Sequence, residues 1–252
     1  MSALEMLAVK LIRRIAATLL LASCGAGAAL AQNPATTLEP NTMGARLAAC
    51  TACHGAQGRA GPDGYYPRIA GKPAEYLFNQ LLGFRDGRRQ YAPMTHLLTG
   101  LPDAYLRDMA EYFASRHVPY PPPAAAKGDA AMLERGRALV FQGDRARQLP
   151  ACAACHGEDL SGLAPAIPGL LGLPRDYLVS QIGGWQNQLR RAAEPDCMAD
   201  VARKLTPDDV AAVSAWLAAQ PVPHFYVAQP SGTLRLPTQC GSQTASHAEG
   251  AR

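Results

Sequence analysis

The sequence has few charged and few aromatic residues, and it lacks an apolar run long enough to cross a membrane. Charged residues make up 17% of the 252 residues and aromatic residues 6%, and the formal net charge is only +4. Such a weak charge argues against a nucleic-acid-binding protein. Seven cysteines are too few for a disulfide-built scaffold of this length. The 48% apolar residues nevertheless suffice for a buried core, which argues against a disordered chain.

The first 31 residues have the pattern of a secretory signal. Three basic residues between positions 10 and 14 precede an apolar stretch over residues 15–30, and an A-x-A cleavage pattern ends at Ala31. The apolar stretch falls short of the roughly 20 residues that a membrane span needs. The sequence before Cys24 also resembles a bacterial lipobox, in which that cysteine is lipidated. We therefore predict export to the periplasm, with release as a soluble protein favoured over a lipid anchor at Cys24.

Four of the other six cysteines lie in two copies of the pattern C-x-x-C-H. Two thiols one helical turn apart can add to the two vinyl groups of a haem, and the adjacent His can bind the iron. A thioredoxin-like redox pair would need a βαβ context that the flanking sequence lacks. A shared zinc site would have to join pairs 102 residues apart. The pattern therefore predicts two covalently bound haem c groups, at Cys50, Cys53 and His54 and at Cys152, Cys155 and His156.

The similarity between the two halves extends beyond the haem motifs. Residues 73–84 align with residues 174–185 at an offset of 101, and both segments contain Tyr-Leu, Gln, Gly and a closing aromatic residue. Residues 94–112 align with residues 198–216 at an offset of 104. Two copies of about 100 residues each predict two domains with the same fold.

The apolar periodicity predicts an all-α fold of two small tandem helical domains, with no strand. The last helix of each copy is the clearest, because its apolar residues recur at i, i+3 and i+7. A first helix, near residues 44–49 and 131–141, should cross the last helix, and Gly44 and Gly136 would allow close approach. We place a signal at 1–31, domain one at 32–120, a stiff Pro/Ala linker at 121–128, domain two at 129–225 and a tail at 226–252.

A haem iron held by one His needs a sixth ligand or keeps an open site, and this difference separates a carrier from an enzyme. Met94 and Met198 align with each other, 40 and 42 residues after their histidines, and each is expected in a loop before the last helix. Met109 falls on the apolar stripe of a helix, so we assign it to the core. Recurrence in both copies favours Met94 and Met198 as axial ligands, although either could be a core residue.

With these motifs, residues 42–220 resemble class I c-type cytochromes, and specifically the dihaem cytochrome c4 family. The resemblance implies two all-α cytochrome c domains whose haems lie close together about a pseudo-twofold axis. In such domains a proline carbonyl accepts the proton of the axial His Nδ1, and Pro67 and Pro168 match that position. Several arginines could face haem propionates or be solvated surface charge: Arg85, Arg88, Arg89, Arg190 and Arg191.

Two six-coordinate irons would leave no position for a substrate, so we predict an electron carrier and not an enzyme. The resemblance implies redox protein partners such as a terminal oxidase, a quinol-cytochrome c reductase or a dehydrogenase. Membrane association would come through a lipid anchor or a membrane complex. The alternatives are the cytochrome subunit of a periplasmic dehydrogenase, which would have the same haem sites, and a dihaem peroxidase, which needs a haem that can open.

Cys197 and Cys240 remain after the haem cysteines are assigned. In an oxidising compartment such a pair most simply forms a disulfide, which would tie the tail beside Met198. Free buried thiols are the alternative, because sequence spacing does not establish that the two Cα atoms come close enough.

Overall fold

The structure is a computed structural model that describes residues 42–61 and 64–244. The predicted signal, its cleavage site and the lipobox at Cys24 lie outside these residues. No helix in the described part of the chain is both long enough and apolar enough to span a membrane.

The first half is helical, and its core lies between the middle and the last helix. Helix α3 packs against α5 around Phe78, Leu106 and Phe113, each at most 5% exposed. Met109 is also buried in this core, as expected. The helices are α1 (Met43–Arg46), α2 (Ala48–His54), α3 (Ala74–Arg85), α4 (Ala92–Leu98) and α5 (Asp103–Ala114), with a 3-10 turn at Ala56–Gly58.

The second half repeats this arrangement and adds a short hairpin. Strands β1 and β2 pair antiparallel, with Gly162 opposite Pro168 and Leu163 opposite Ile167. The expectation of no strand is therefore wrong in detail, because a two-residue strand is too short to show alternation in the sequence. The elements are α6 (Ala130–Phe141), α7 (Ala153–His156), β1 (Gly162–Leu163), β2 (Ile167–Pro168), α8 (Arg175–Gln186), α9 (Cys197–Lys204), α10 (Pro207–Ala218) and α11 (Gly241–Thr244).

The first and last helices of the second half cross in close contact at Gly136. A Cβ atom at this position would lie 2.3 Å from the carbonyl oxygen of Ala212 and 2.8 Å from the Cβ atom of Trp216. Helices α6 and α10 can approach this closely only because glycine has no side chain. The structure thus confirms the predicted crossing in this half.

A capping box fixes the start of α10. The Thr206 side chain accepts a hydrogen bond from the Asp209 backbone, and the Asp209 carboxylate accepts one from the Thr206 backbone. Asp209 is fully buried and is also bound by the guanidinium groups of Arg135 and Arg147. The charge of the buried carboxylate is therefore paired, as a buried ion requires.

The segment that joins the two halves is irregular, and its start is held by the first half. Arg68 donates hydrogen bonds to the carbonyl oxygens of Val118 and Pro119, and its guanidinium lies 3.8 Å from the centre of the Tyr120 ring. This contact anchors the chain just before the predicted linker at 121–128. The domain boundaries themselves stay a prediction.

Candidate haem sites

The first C-x-x-C-H motif lies on one short helix and presents its histidine in a fixed orientation. Cys50 and Cys53 precede His54 on α2, and both thiols are half-buried and outside any disulfide. His54 is 8% exposed, and its Nδ1 lies 2.9 Å from the carbonyl oxygen of Pro67. A carbonyl only accepts, so Nδ1 carries the proton and Nε2 is the ring nitrogen free to bind a metal.

The second motif has the same geometry. Cys152 precedes α7, Cys155 lies on it, and neither thiol is in a disulfide. His156 ends the helix at 8% exposure, with Nδ1 2.8 Å from the carbonyl oxygen of Pro168. Both hydrogen bonds that the resemblance implied, to Pro67 and Pro168, are thus present.

A glycine after each motif turns the chain away from the helix. Gly55 has φ +72° and Gly157 has φ +87°, a backbone conformation that residues other than glycine rarely adopt. At Gly55 a Cβ atom would also lie 2.3 Å from the carbonyl oxygen of Ala60. The sharp turn starts the loop that leads back to the proline carbonyl.

Burial disfavours the charged form of the histidine and of the first thiol in each motif. It lowers the pKa of His54, and it lowers the pKa of His156 to about 4, although the proline carbonyls act in the opposite direction. Burial also raises the pKa of the Cys50 thiol, and that of Cys152 to about 12. A neutral imidazole can bind iron, and a thioether bond to haem carries no charge, so both suit this environment.

The alternative of a shared zinc site finds no support in this geometry. A structural zinc ion needs about four ligands gathered at one point. The described residues contain no cluster of three or more His, Cys, Asp or Glu side chains that could hold a metal ion. The donor groups therefore fit a covalently attached haem and do not fit zinc.

The two aligned methionines lie in helices, so the expectation that they lie in loops is wrong. Met94 is in the first turn of α4, where Pro93 has a backbone preset for a helix. Met198 is in the first turn of α9, where the Asp196 carboxylate caps the helix by accepting from the Ala199 backbone, 3.0 Å away. Both side chains are partly buried. Helices of seven and eight residues are too short to show a clear apolar period in the sequence.

Met94 lies in the same packed region as the first haem motif. Its side chain and that of Cys50 both pack against the core that contains Phe84 and Leu98. The Cys50 thiol and the Met94 thioether, the two candidate haem-binding sulfurs named here, thus contact one apolar cluster of the first half.

A disulfide joins Cys197 to Cys240, with the Cα atoms 5.5 Å apart. The predicted pairing is confirmed, and the alternative of free thiols is wrong. Because Met198 follows Cys197 directly, the bond ties the C-terminal tail to the helix that carries this methionine.

The tail also braces the loop beside His156. Tyr226 donates to the carbonyl oxygen of Leu160 at 2.5 Å and accepts from the backbone of Leu171 at 2.7 Å. The backbone of Gln229 donates to Gly162, which lies in β1, at 2.9 Å. Sequence reasoning missed these contacts, since the tail has no counterpart in the first copy.

Two arginines form a symmetric cluster between the two halves. Arg89 donates to Gln80 of its own half and to Gln181 of the other half. Arg190 mirrors these bonds, because it donates to Gln181 and to Gln80, both at 2.9 Å. Each guanidinium also contacts a tyrosine hydroxyl of the opposite half, which is Tyr177 for the first and Tyr76 for the second.

The buried position of Arg190 contradicts the alternative that this residue is a solvated surface charge. Arg190 is only 7% exposed, and burial together with the charge of Arg89 lowers its pKa. Arg85 instead forms ion pairs with Asp86 and Asp103. The signal that could have identified the cluster was the recurrence of its Tyr, Gln and Arg at one offset of 101, which is typical of an interface built from equivalent residues.

Comparison with known proteins finds relatives that match about two thirds of this chain. No protein-family model matches the chain. The chain is 38% identical over 175 residues to the thiosulfate dehydrogenase electron acceptor of Thiomonas intermedia. This match covers 69% of this chain and 80% of that protein. It is 35% identical over 175 residues to cytochrome c4 of Pseudomonas aeruginosa, with coverage of 69% and 84%.

Solved structures of cytochrome c4 and of a thiosulfate dehydrogenase have the same fold as this chain. The crystal structure of reduced cytochrome c4 from Pseudomonas stutzeri matches with a TM-score of 0.61 and 29% identity, and covers 70% of this chain and 95% of that chain. A thiosulfate dehydrogenase from Marichromatium purpuratum matches with a TM-score of 0.62 and 32% identity, over 69% of this chain and 36% of that chain. The chain therefore belongs to the dihaem cytochrome c4 family, as an all-α electron-transfer protein with two covalently bound haem c groups.

Proposed function

We propose that each haem is held by its own motif and by the aligned methionine of the same half. The thiols would form thioether bonds, and the histidine Nε2 and the methionine sulfur would bind the iron. The hydrogen bond from each histidine to a proline carbonyl, repeated in both halves, carries this proposal, because it frees Nε2 for the metal. The ligand sets are Cys50, Cys53, His54 and Met94, and Cys152, Cys155, His156 and Met198.

These residues suit electron transfer better than catalysis. When bound, haem c supplies a one-electron Fe(III)/Fe(II) couple. A histidine fixed by a hydrogen bond and a methionine on a helix keep their places in both oxidation states, which keeps reorganisation small. If a histidine and a methionine both bind each iron, no position would remain for peroxide or another substrate, which disfavours the peroxidase alternative.

We also propose that Arg89 and Arg190 face the haem propionates. Both guanidinium groups lie at the junction of the two halves, and neither belongs to an ion pair among the described residues. Buried cations generally need a nearby anion. A propionate from each haem would supply one and would bring the two haem edges toward this interface.

The partners of the protein are redox proteins, and we propose that its donor is a periplasmic dehydrogenase and its acceptor a terminal oxidase. The relative from Thiomonas intermedia, named as the electron acceptor of thiosulfate dehydrogenase, supports a thiosulfate-oxidising donor. A quinol-cytochrome c reductase is the alternative donor. The periplasmic location rests on the signal sequence and on haem attachment outside the cytoplasm.

Stopped-flow reduction distinguishes these donors. The oxidised protein is mixed with thiosulfate and purified thiosulfate dehydrogenase, or with quinol and the purified reductase, and haem reduction is followed by absorbance. We expect fast uptake of two electrons per chain from the dehydrogenase and no reduction by thiosulfate alone. Fast reduction only by the reductase would refute the dehydrogenase as donor, and turnover of peroxide would refute the carrier function.

A further inference from the structure

Lys72 is a buried lysine of the first half that reaches into the second half. It lies just before α3 and is 4% exposed, and its Nζ donates to the carbonyl oxygen of Gly169 at 2.8 Å. At the offset of 101 the equivalent residue of the second copy is Leu173. The repeat therefore provides no second lysine that reaches back toward the first half.

The contact of Lys72 lies next to the second axial histidine. Gly169 directly follows Pro168, whose carbonyl oxygen holds the Nδ1 proton of His156. The ammonium group is thus bound to the peptide adjacent to the one that orients the proposed iron ligand. The first copy has Arg68 in the place of Gly169, and that side chain turns to the carbonyl oxygens of Val118 and Pro119.

The charge of Lys72 is not balanced by a carboxylate in the described part of the chain. None of the ion pairs found there includes this residue. Burial, together with the nearby Arg68, lowers the pKa of the ammonium to about 7. At about pH 6, one unit below that value, most of the lysine is charged.

A positive charge in a buried environment stabilises the less positive state of a nearby redox centre, because the interaction is weakly screened there. Reduced iron carries one positive charge less than oxidised iron. We propose that Lys72 of the first half raises the reduction potential of the haem held in the second half. This inference rests on the proposed binding of that haem by His156 and Met198.

The test compares three substitutions of Lys72 with a control lysine. Lys72→Met removes the charge and the hydrogen-bond donor, Lys72→Gln removes the charge but keeps an N–H donor, and Lys72→Arg keeps both. The control is Lys204→Met, since Lys204 also donates to a backbone carbonyl, that of Gln148, but at an exposed site. A redox titration of the intact dihaem protein at about pH 6 is followed by NMR through the separate ε-methyl signals of the iron-bound Met94 and Met198.

We expect the Met and Gln variants to lower the midpoint potential that the Met198 signal reports, and to change the Met94 midpoint less. The Arg variant and the Lys204 control should keep both midpoints near those of the unchanged protein. A Gln variant with the original Met198 midpoint would overturn the inference even if the Met variant did not fold. Absence of a shifted Met198 signal in the unchanged protein would instead refute the proposed ligation, so the two failures can be told apart.

Discussion

Replacing Gly136 by Ala should destabilise the second half, because the new methyl group meets backbone atoms of the crossing helix. The Cβ atom would lie 2.3 Å from the Ala212 carbonyl oxygen, whereas ordinary contacts begin near 3.4 Å. The helices α6 and α10 would have to separate by about 1 Å, and overpacking of this kind costs about 1–3 kcal/mol.

The higher helix propensity of alanine offsets only part of this cost, by about 0.5–1 kcal/mol. We therefore expect Gly136→Ala to lower the free energy of unfolding by about 1–2 kcal/mol, and the midpoint of thermal unfolding by roughly 5–10 °C for a domain of this size. Differential scanning calorimetry of the dihaem protein measures this shift, and loss of circular dichroism in the Soret region identifies the unfolding of the haem sites.

Gly183→Ala is the matched control. Gly183 also lies within a helix, but a Cβ atom there would have no neighbour within 4 Å, and Leu82 occupies the equivalent place in the first copy. This substitution should stabilise the protein by about 0.5–1 kcal/mol. If both alanine variants were equally stabilised, the close crossing of α6 and α10 would be refuted.

Further substitutions test the tail, the buried carboxylate and the interface. Replacing Cys197 and Cys240 by Ser opens a loop with a sequence separation of 43 and should lower the free energy of unfolding by about 4 kcal/mol in the chain-entropy model, as measured by urea denaturation; an unchanged midpoint would contradict this. For Asp209, burial alone would raise the pKa, but bonds from Arg and Thr groups lower it from 3.8 to about 2. The charged Asp209 carboxylate therefore stabilises the protein fully above about pH 4, and this stabilisation is lost as the pH falls toward about 2. The urea midpoints of the unchanged protein and of Asp209→Asn should converge over that pH range. A constant difference between the two midpoints would contradict this. Arg190→Met should destabilise the protein by about 1–3 kcal/mol, because it removes the hydrogen bonds of a buried guanidinium to Gln181, Gln80 and Tyr76. Arg88→Met at a more exposed position should have little effect, and equal effects of the two variants in thermal unfolding would contradict the buried interface.

The haem sites could be predicted from the sequence because covalent attachment demands a fixed local spacing. The two thiols and the histidine of each motif must lie on one helical turn, so Cys50 and His54 identify a site without knowledge of the fold. The hydrogen bonds to Pro67 and Pro168 could also be expected, but only through the resemblance to a known family. The repeat itself required two domains of like fold.

Long-range contacts could not be predicted in the same way. The burial of Arg190 and the reach of Lys72 depend on how the two halves pack, and neither residue has a local pattern that reveals its partner. The position of Met198 in a helix depends on a side-chain cap and on a disulfide to the tail. Such features come from tertiary contacts, which local propensity does not encode.

The far-red methionine-to-iron absorption band, followed during a spectroelectrochemical titration, tests the central claim most directly. The protein, Met94→Ala and Met198→Ala are each titrated while haem reduction is counted. We predict two electrons per chain, a band in the oxidised protein from both haems, and loss of about half of its intensity in each variant. A band that one substitution abolishes and the other leaves unchanged would contradict two His/Met-ligated haems.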